Sequence, residues 1–254
     1  MFTAMSGHSK WATIKHKKGA ADAKRGKLFA KLIKQVEVAA RTGGGDADTN
    51  PTLRTMFQKA RDNSVPLDTI KNAVKRGTGE LEGVNYETVT YEGYAPGGVA
   101  LLIECLTDNR NRTSGDIRST LSKNGGSLAE PGAVAWQFER KGVILVPSTF
   151  AEDDVMLAAL DAGAEDIVDG GEMWQVTSQP ADLNTVRDAL DEAGVAVESA
   201  DLVMLPSSTV EMTEVGDVKK LLNLIELLDD LDDVQDVHGN MDASDEVMEA
   251  ATAD

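Results

Sequence analysis

Between Gly7 and Lys34 the chain places nine basic side chains against a single acid, Asp22. They are Lys10, Lys15, Lys17, Lys18, Lys24, Arg25, Lys27, Lys31 and Lys34. The chemistry such a density of cations suits is neutralisation of phosphates. His8, Trp11 and His16 are interleaved among the first of them, adding flat rings able to stack on bases. Two readings fit the segment: an arm that orders on a polyanion, or a solvated tail anchored by a lone tryptophan. The remainder of the chain favours the first. Residues 1–80 carry 16 Lys/Arg against 7 Asp/Glu, whereas residues 81–254 carry 9 against 36, and the net charge is −18. A basic end on an acidic body is the pattern of a binding segment carried by a soluble partner.

Other chemistry is sparse. His238 is far from His8 and His16 in sequence, and Cys105 lies within the apolar run Val99–Leu106, where it reads as a small core residue. No CxxC or HExxH spacing occurs, so no metal site is expected. The glycines Gly43-Gly44-Gly45 and Gly77-x-Gly79 follow no strand, and GxxxxGK[ST] is absent, so no nucleotide cofactor is expected either. Asp229, Asp230, Asp232, Asp233 and Asp236 lack calcium-loop spacing and read as a solvated helix end. With no nucleophile or acid–base set, the expectation is a protein that is not an enzyme. Arg110 and Arg112, in Asp108-Asn-Arg-Asn-Arg-Thr113, are isolated cations in an acidic region. They are either solvated residues of a turn and cap or a second contact with nucleic acid or a partner. One cysteine allows no intrachain disulfide, no segment approaches the apolar length of a membrane span, and the N-terminus lacks the apolar core of a signal peptide, so a cytoplasmic protein is expected.

These groups are carried on elements that the periodicity outlines. From Lys24 a helix buries Leu28, Phe29, Leu32, Ile33, Val36 and Ala40 and turns Lys24, Lys27, Lys31 and Lys34 to another arc. Asn50-Pro51 caps and opens a second helix, and Ser64-Val65-Pro66 leads into a third, ended by Gly77. The third directs Lys71, Lys75 and Arg76 outward, residue types that hold phosphates rather than read bases. Strands follow at Tyr86–Tyr94, Val99–Leu106, Val134–Phe138 and Gly142–Pro147, with a helix boxed by Thr113 and Asp116 after the second. From Gly142 to Leu205 the order is β-α-β-β-α-β, its first helix boxed by Thr149 and Glu152. A helix with Val218, Leu221, Leu222, Ile225 and Leu228 inward and a strand at Val234–Val237 complete the earlier piece. The expected architecture is α+β: a three-helix domain (1–80), a discontinuous ferredoxin-like domain (84–138 with 207–240), and a second ferredoxin-like domain (139–206) inserted into it. Residues 241–254 read as a disordered acidic tail.

Longer motifs resemble a known family. Gly7-His-Ser-Lys-Trp-Ala-Thr-Ile-Lys-His-Lys-Lys18, Asp22-Ala-Lys-Arg-Gly-Lys27, Asn50-Pro-x-Leu-Arg54 and Lys75-Arg-Gly-Thr-Gly-Glu80 are similar to stretches of the YebC/PmpR family. So are Tyr91-Glu-Gly-Tyr94, Pro96-Gly-Gly98, Thr107-Asp-Asn-Arg-Asn-Arg-Thr113, Lys123-Asn-Gly-Gly126 and Ala135-Trp-x-Phe138. The departures are Ser64-Val65-Pro66, where relatives often have Asn-Met-Pro, and Leu128–Gly132. The resemblance implies three domains and a nucleic-acid-binding regulator, by family label a DNA-binding transcriptional regulator. It also implies an alternative, since the mitochondrial translational activator of a cytochrome oxidase subunit is similar: a factor bound to structured RNA on the ribosome.

Overall fold

A computed structural model describes residues 22–253, with side chains from Arg25 onward. These residues form two compact units, 22–86 with 141–203, and 87–140 with 204–253.

The first unit begins with helices α1 (Asp22–Gly43), α2 (Pro51–Asp62) and α3 (Leu67–Thr78). Leu32, Val36 and Ala40 of α1 pack with Leu53 and Ala60 of α2 and Ile70 and Ala73 of α3. Asn50 joins two of these helices. Its carbonyl accepts from Leu53 N at 3.1 Å, and its amide donates to the carbonyls of Ala39 and Gly44, each at 2.9 Å. Gly77 does not end α3, as its type suggested; the helix runs on to Thr78 and closes at Gly79, φ 83°. Gly77 is instead buried against α1, where an added Cβ would lie 2.7 Å from Ala40 Cβ. Its role is close helix approach.

The same unit contains most of β4 (Phe138–Pro147), α5 (Glu152–Leu160), β5 (Ala164–Asp169), β6 (Met173–Ser178), α6 (Leu183–Glu192) and most of β7 (Ser199–Pro206). The first three residues of β4 and the last three of β7 belong to the other unit. Their sheet has the order β5-β6-β4-β7, the ferredoxin-like arrangement. The expected strand Val134–Phe138 is not formed: Ala135–Gln137 is a 3₁₀ turn and Phe138 opens β4. The Thr149–Glu152 box is not formed either. Helix α5 starts behind Ala151, with Glu152, Asp153 and Asp154 in its first turn facing the positive end of the helix dipole. Lys59 reaches Asp201 at 2.7 Å and Arg187 reaches Asp62 at 3.2 Å, joining the helices to this sheet.

The second unit holds β1 (Glu87–Tyr94), β2 (Ala100–Thr107), α4 (Arg110–Lys123), β3 (Ser127–Leu128), β8 (Val210–Glu211), α7 (Val215–Asp229), β9 (Val234–Gly239), β10 (Met241–Asp242) and α8 (Asp245–Thr252). Its main sheet has the order β3-β1-β2-β9, so a strand from beyond residue 206 completes it. Helices cover one face. Leu101, Ile103 and Cys105 pack there against Ile117 and Leu121 of α4 and Leu221, Leu224 and Ile225 of α7. The opposite face carries Glu92, Tyr94, Ala100, Leu102, Glu104 and His238, as the strand register requires. Val134 and Phe138 pack on Ala100 and Leu102 there.

Two expectations are corrected. Helix α4 starts a turn before Thr113, because Asn109 accepts from Arg112 N at 3.2 Å; Thr113 instead turns inward. Residues 241–254 are not a disordered tail as far as Ala253. Strand β10 pairs with β8, Ser244 caps α8, and Met248 and Ala251 are buried. Helical spacing of Met248 and Ala251 outweighs the acidic composition.

Candidate nucleic-acid interface

His8, Lys10, Trp11, Lys15, His16, Lys17 and Lys18 lie outside the described residues. Lys24 falls in the first turn of α1. Arg25 and Lys27 are exposed, and the Arg25 guanidinium stands 5.8 Å from the Phe29 ring centroid. Lys31 and Lys34 are half-buried; the Lys34 ammonium lies 5.3 Å from the ring of Tyr86, a cation–π distance. Lys71 and Lys75 are exposed, four residues apart on α3, so their ammonium groups share a face.

Arg76 points elsewhere. Its Nε donates to Glu37 Oε2 at 2.8 Å, and Arg41 Nη2 donates to Glu37 Oε1 at 3.2 Å. The Glu37 side chain is 4 % exposed. Arg41 Nη1 also donates to Val84 O at 2.9 Å, and a Cβ at Gly83 would lie 2.6 Å from Glu37 Oε1. The three charges therefore fasten α1, α3 and the segment that leaves the helical domain. Arg76 acts as a strut for the surface that displays Lys71 and Lys75.

Arg110 and Arg112 differ in the same way. Arg110 is exposed and only 3.7 Å from Glu87 in its nearest ion pair. Arg112 Nη2 donates to Asp108 Oδ1 at 2.8 Å and Asp233 Oδ2 at 2.6 Å, and these carboxylates raise its pKa. Asp233 Oδ2 also accepts from the Thr113 hydroxyl at 2.9 Å and the Thr107 hydroxyl at 3.3 Å. Asp233 is thus buried and partnered, not part of a solvated acidic run. Among the described residues no group of three His, Cys, Asp or Glu side chains could hold a metal ion, and no helix is long and apolar enough to cross a membrane.

A constellation that sequence reasoning missed lies on the helix-free sheet face. Glu92 is buried, and its carboxylate accepts from the backbone N–H groups of Gly132 and Val134, each at 2.6 Å, and Ala135 at 2.8 Å. Burial alone pushes its pKa up, but these donors outweigh that and hold it below the ordinary glutamate value. The turn so held presents Trp136, 72 % exposed. The only sequence signal was the Trp within Ala135-Trp-x-Phe138. A carboxyl that is more acidic folded than unfolded stabilises the fold above the unfolded pKa and ceases to do so as pH falls through the folded value. Acid titration is therefore expected to loosen this turn below the ordinary glutamate range, and Glu92→Gln to loosen it at neutral pH. Fluorescence of Trp136 as the sole tryptophan reads both; a pH-independent spectrum identical in the variant would show that Glu92 does not hold the turn.

Comparison with known proteins fits this architecture. Residues 9–80 match the family model described as the TACO1/YebC protein N-terminal domain, and residues 86–241 match TACO1/YebC second and third domain. The chain belongs to the TACO1/YebC family. A "probable transcriptional regulatory protein" of Thermobifida fusca is 58 % identical over 246 residues, covering 96 % of this chain and 98 % of the relative. A protein of the same name from Streptomyces coelicolor is 58 % identical over 251 residues, covering 98 % and 100 %. The crystal structure of a conserved hypothetical protein from Aquifex aeolicus matches with a TM-score of 0.81 at 42 % identity, covering 89 % of this chain and 94 % of that one. The TACO1/YebC family thus accounts for nearly the whole chain, including the turn around Trp136.

Proposed function

We propose that this chain is a non-enzymatic, nucleic-acid-binding regulator of gene expression, holding phosphates with its basic helical end. The observation that carries the reading is the pair Lys71 and Lys75, exposed on one face of α3 in a chain of net charge −18, with Arg25 and Lys27 exposed on α1. The names of the relatives, probable transcriptional regulatory proteins, support a nucleic-acid target. Lysines are point charges without base preference, so the reading is of backbone or shape recognition. Duplex DNA is the ligand the family label suggests. Structured RNA is the second reading, favoured by Trp11 and the two histidines of the arm, whose rings suit splayed bases better than stacked ones.

The test is a titration of the wild type and the double variant Lys71→Glu/Lys75→Glu against one duplex and one structured RNA over a range of salt. Each lysine lost from a phosphate contact is expected to reduce the log–log salt slope on duplex DNA by about 0.9. Tighter binding of the RNA at matched salt would select the translation reading. An unchanged slope with both ligands would overturn the assignment of this face.

A further inference from the structure

The turn carrying Trp136 is held from several sides, yet its largest side chain faces water. Glu92 takes three of the turn's N–H groups. The Gln137 side chain accepts from Asn240 Nδ2 at 3.0 Å, and the Gln137 carbonyl accepts from Ser207 N at 2.7 Å and Ser207 Oγ at 2.9 Å. Val134 and Phe138 are anchored beneath it, on Ala100 and Leu102. The indole N–H of Trp136 donates to Ala133 O at 3.1 Å, and the hydroxyl of Tyr94, 36 % exposed, is directed to the same oxygen at 3.5 Å. Two rings thus converge on one carbonyl with their orientation fixed before any ligand arrives. Thr88 and Thr90 are exposed on the same sheet face. Arg140 is exposed two residues after Phe138, near the start of β4.

We infer that this helix-free face is a second nucleic-acid site, which stacks an unpaired base on Trp136 beside Tyr94 and offers Arg140 to a phosphate. The inference rests on the function proposed above and adds to it a preference for single-stranded segments. Two exposed rings, Tyr94 on β1 and Trp136 on the turn that covers this face, suit splayed bases, every one of which has a π-face, whereas a duplex keeps its bases stacked. The carboxylates of the face have partners: Glu92 the backbone donors of the turn, Glu104 the His238 ring at 3.0 Å, and Asp236, opposite Glu104 in the register, the Val237 N–H at 2.9 Å. A protein partner is less well matched, because an anchoring tryptophan would be expected among exposed aliphatic neighbours. The other exposed large apolar residues of this unit, Val215 and Leu227, belong to α7, on the covered side of the sheet.

The full chain is titrated with a single-stranded oligonucleotide and with a duplex, as wild type, Trp136→Ala, Trp136→Phe and Lys71→Glu/Lys75→Glu. Loss of one base stack is expected to weaken single-strand binding by Trp136→Ala about tenfold, with Trp136→Phe retaining most of the affinity. Duplex binding and its salt slope should remain as in wild type, because Trp136 carries no charge. The lysine variant should weaken both ligands. In a Trp11→Phe/Trp174→Phe background, the oligonucleotide should quench Trp136 fluorescence. If the wild type binds both ligands while Trp136→Ala binds the single strand normally and quenching is absent, the stacking site is wrong and the proposed function stands. If the wild type binds neither ligand, both fall. A melting temperature of Trp136→Ala equal to wild type assigns its loss of binding to the ring rather than to unfolding.

Discussion

A chain ended at Pro206 is expected to keep the fold of residues 22–86 and 141–203 and to lose that of residues 87–140. The helices and the inserted sheet have their own apolar clusters, made from residues that precede the break. The other unit does not. Its core takes Val218, Leu221, Leu222, Leu224, Ile225 and Leu228 from α7, and its strand β2 pairs with β9 through Leu101–Gly239 and Ile103–Val237. Burying side chains of this size stabilises by about 1.5–3 kcal/mol each, so their loss removes about 10 kcal/mol or more. That matches or exceeds the whole stability of an ordinary domain, about 5–15 kcal/mol. The truncated chain should bind a hydrophobic dye and aggregate, while its NMR spectrum retains the dispersed signals of the helices. Native signals from residues 87–107, with no dye binding, would refute the dependence on α7 and β9.

The second large effect is expected at Glu37. Glu37→Ala removes the carboxylate shared by Arg41 and Arg76 and leaves both guanidiniums in a site shaped for a counter-ion. Breaking a buried pair by deleting one member typically costs about 3–5 kcal/mol. Here the arginines are about 30 % exposed and can turn partly to water, so about 2–3 kcal/mol is expected. Glu37→Gln, which keeps the acceptor oxygen and the shape, should lose less. Denaturant titration of the first unit measures both, and a loss below about 0.5 kcal/mol for Glu37→Ala would show that the network does not fasten the helices.

The periodic elements were readable in the sequence because their signal is local. The arcs of α1, α2 and α7 and the β-α-β-β-α-β order of the inserted sheet follow from apolar spacing alone, and so did the need for Val234–Val237 to complete an earlier sheet. What escaped depended on partners distant along the chain. Arg76 and Glu37 are 39 residues apart, and Arg112 and Asp233 are 121 apart, so nothing near either arginine distinguishes a strut from a free cation. Thr113 has the spacing of a cap, yet its hydroxyl finds better partners in Thr107 and Asp233, while Asn109 takes the cap. Gly77 looked like a helix stop because its type fits both an ending and a close crossing, and only the neighbouring helix decides. Glu92 read as an ordinary polar position of a half-exposed strand; the backbone donors that make it a fastening come from a turn 40 residues on.

The pairing of β2 with β9 also sets a timetable for synthesis. Leu101 leaves the ribosome about 140 residues before its partner Gly239. At roughly 5–20 residues per second, a wait of about 7–28 seconds separates the two strands. During that interval β2, buried along most of its length in the finished protein, has β1 on one edge and nothing from the chain's own future on the other. The inserted sheet is translated within the same interval, and its first and last strands, β4 and β7, are neighbours. Its folding returns the chain close to where it departed, which shortens the loop that β9 must close. Growth temperature and chaperone supply should therefore govern the yield of intact protein through this one delayed edge.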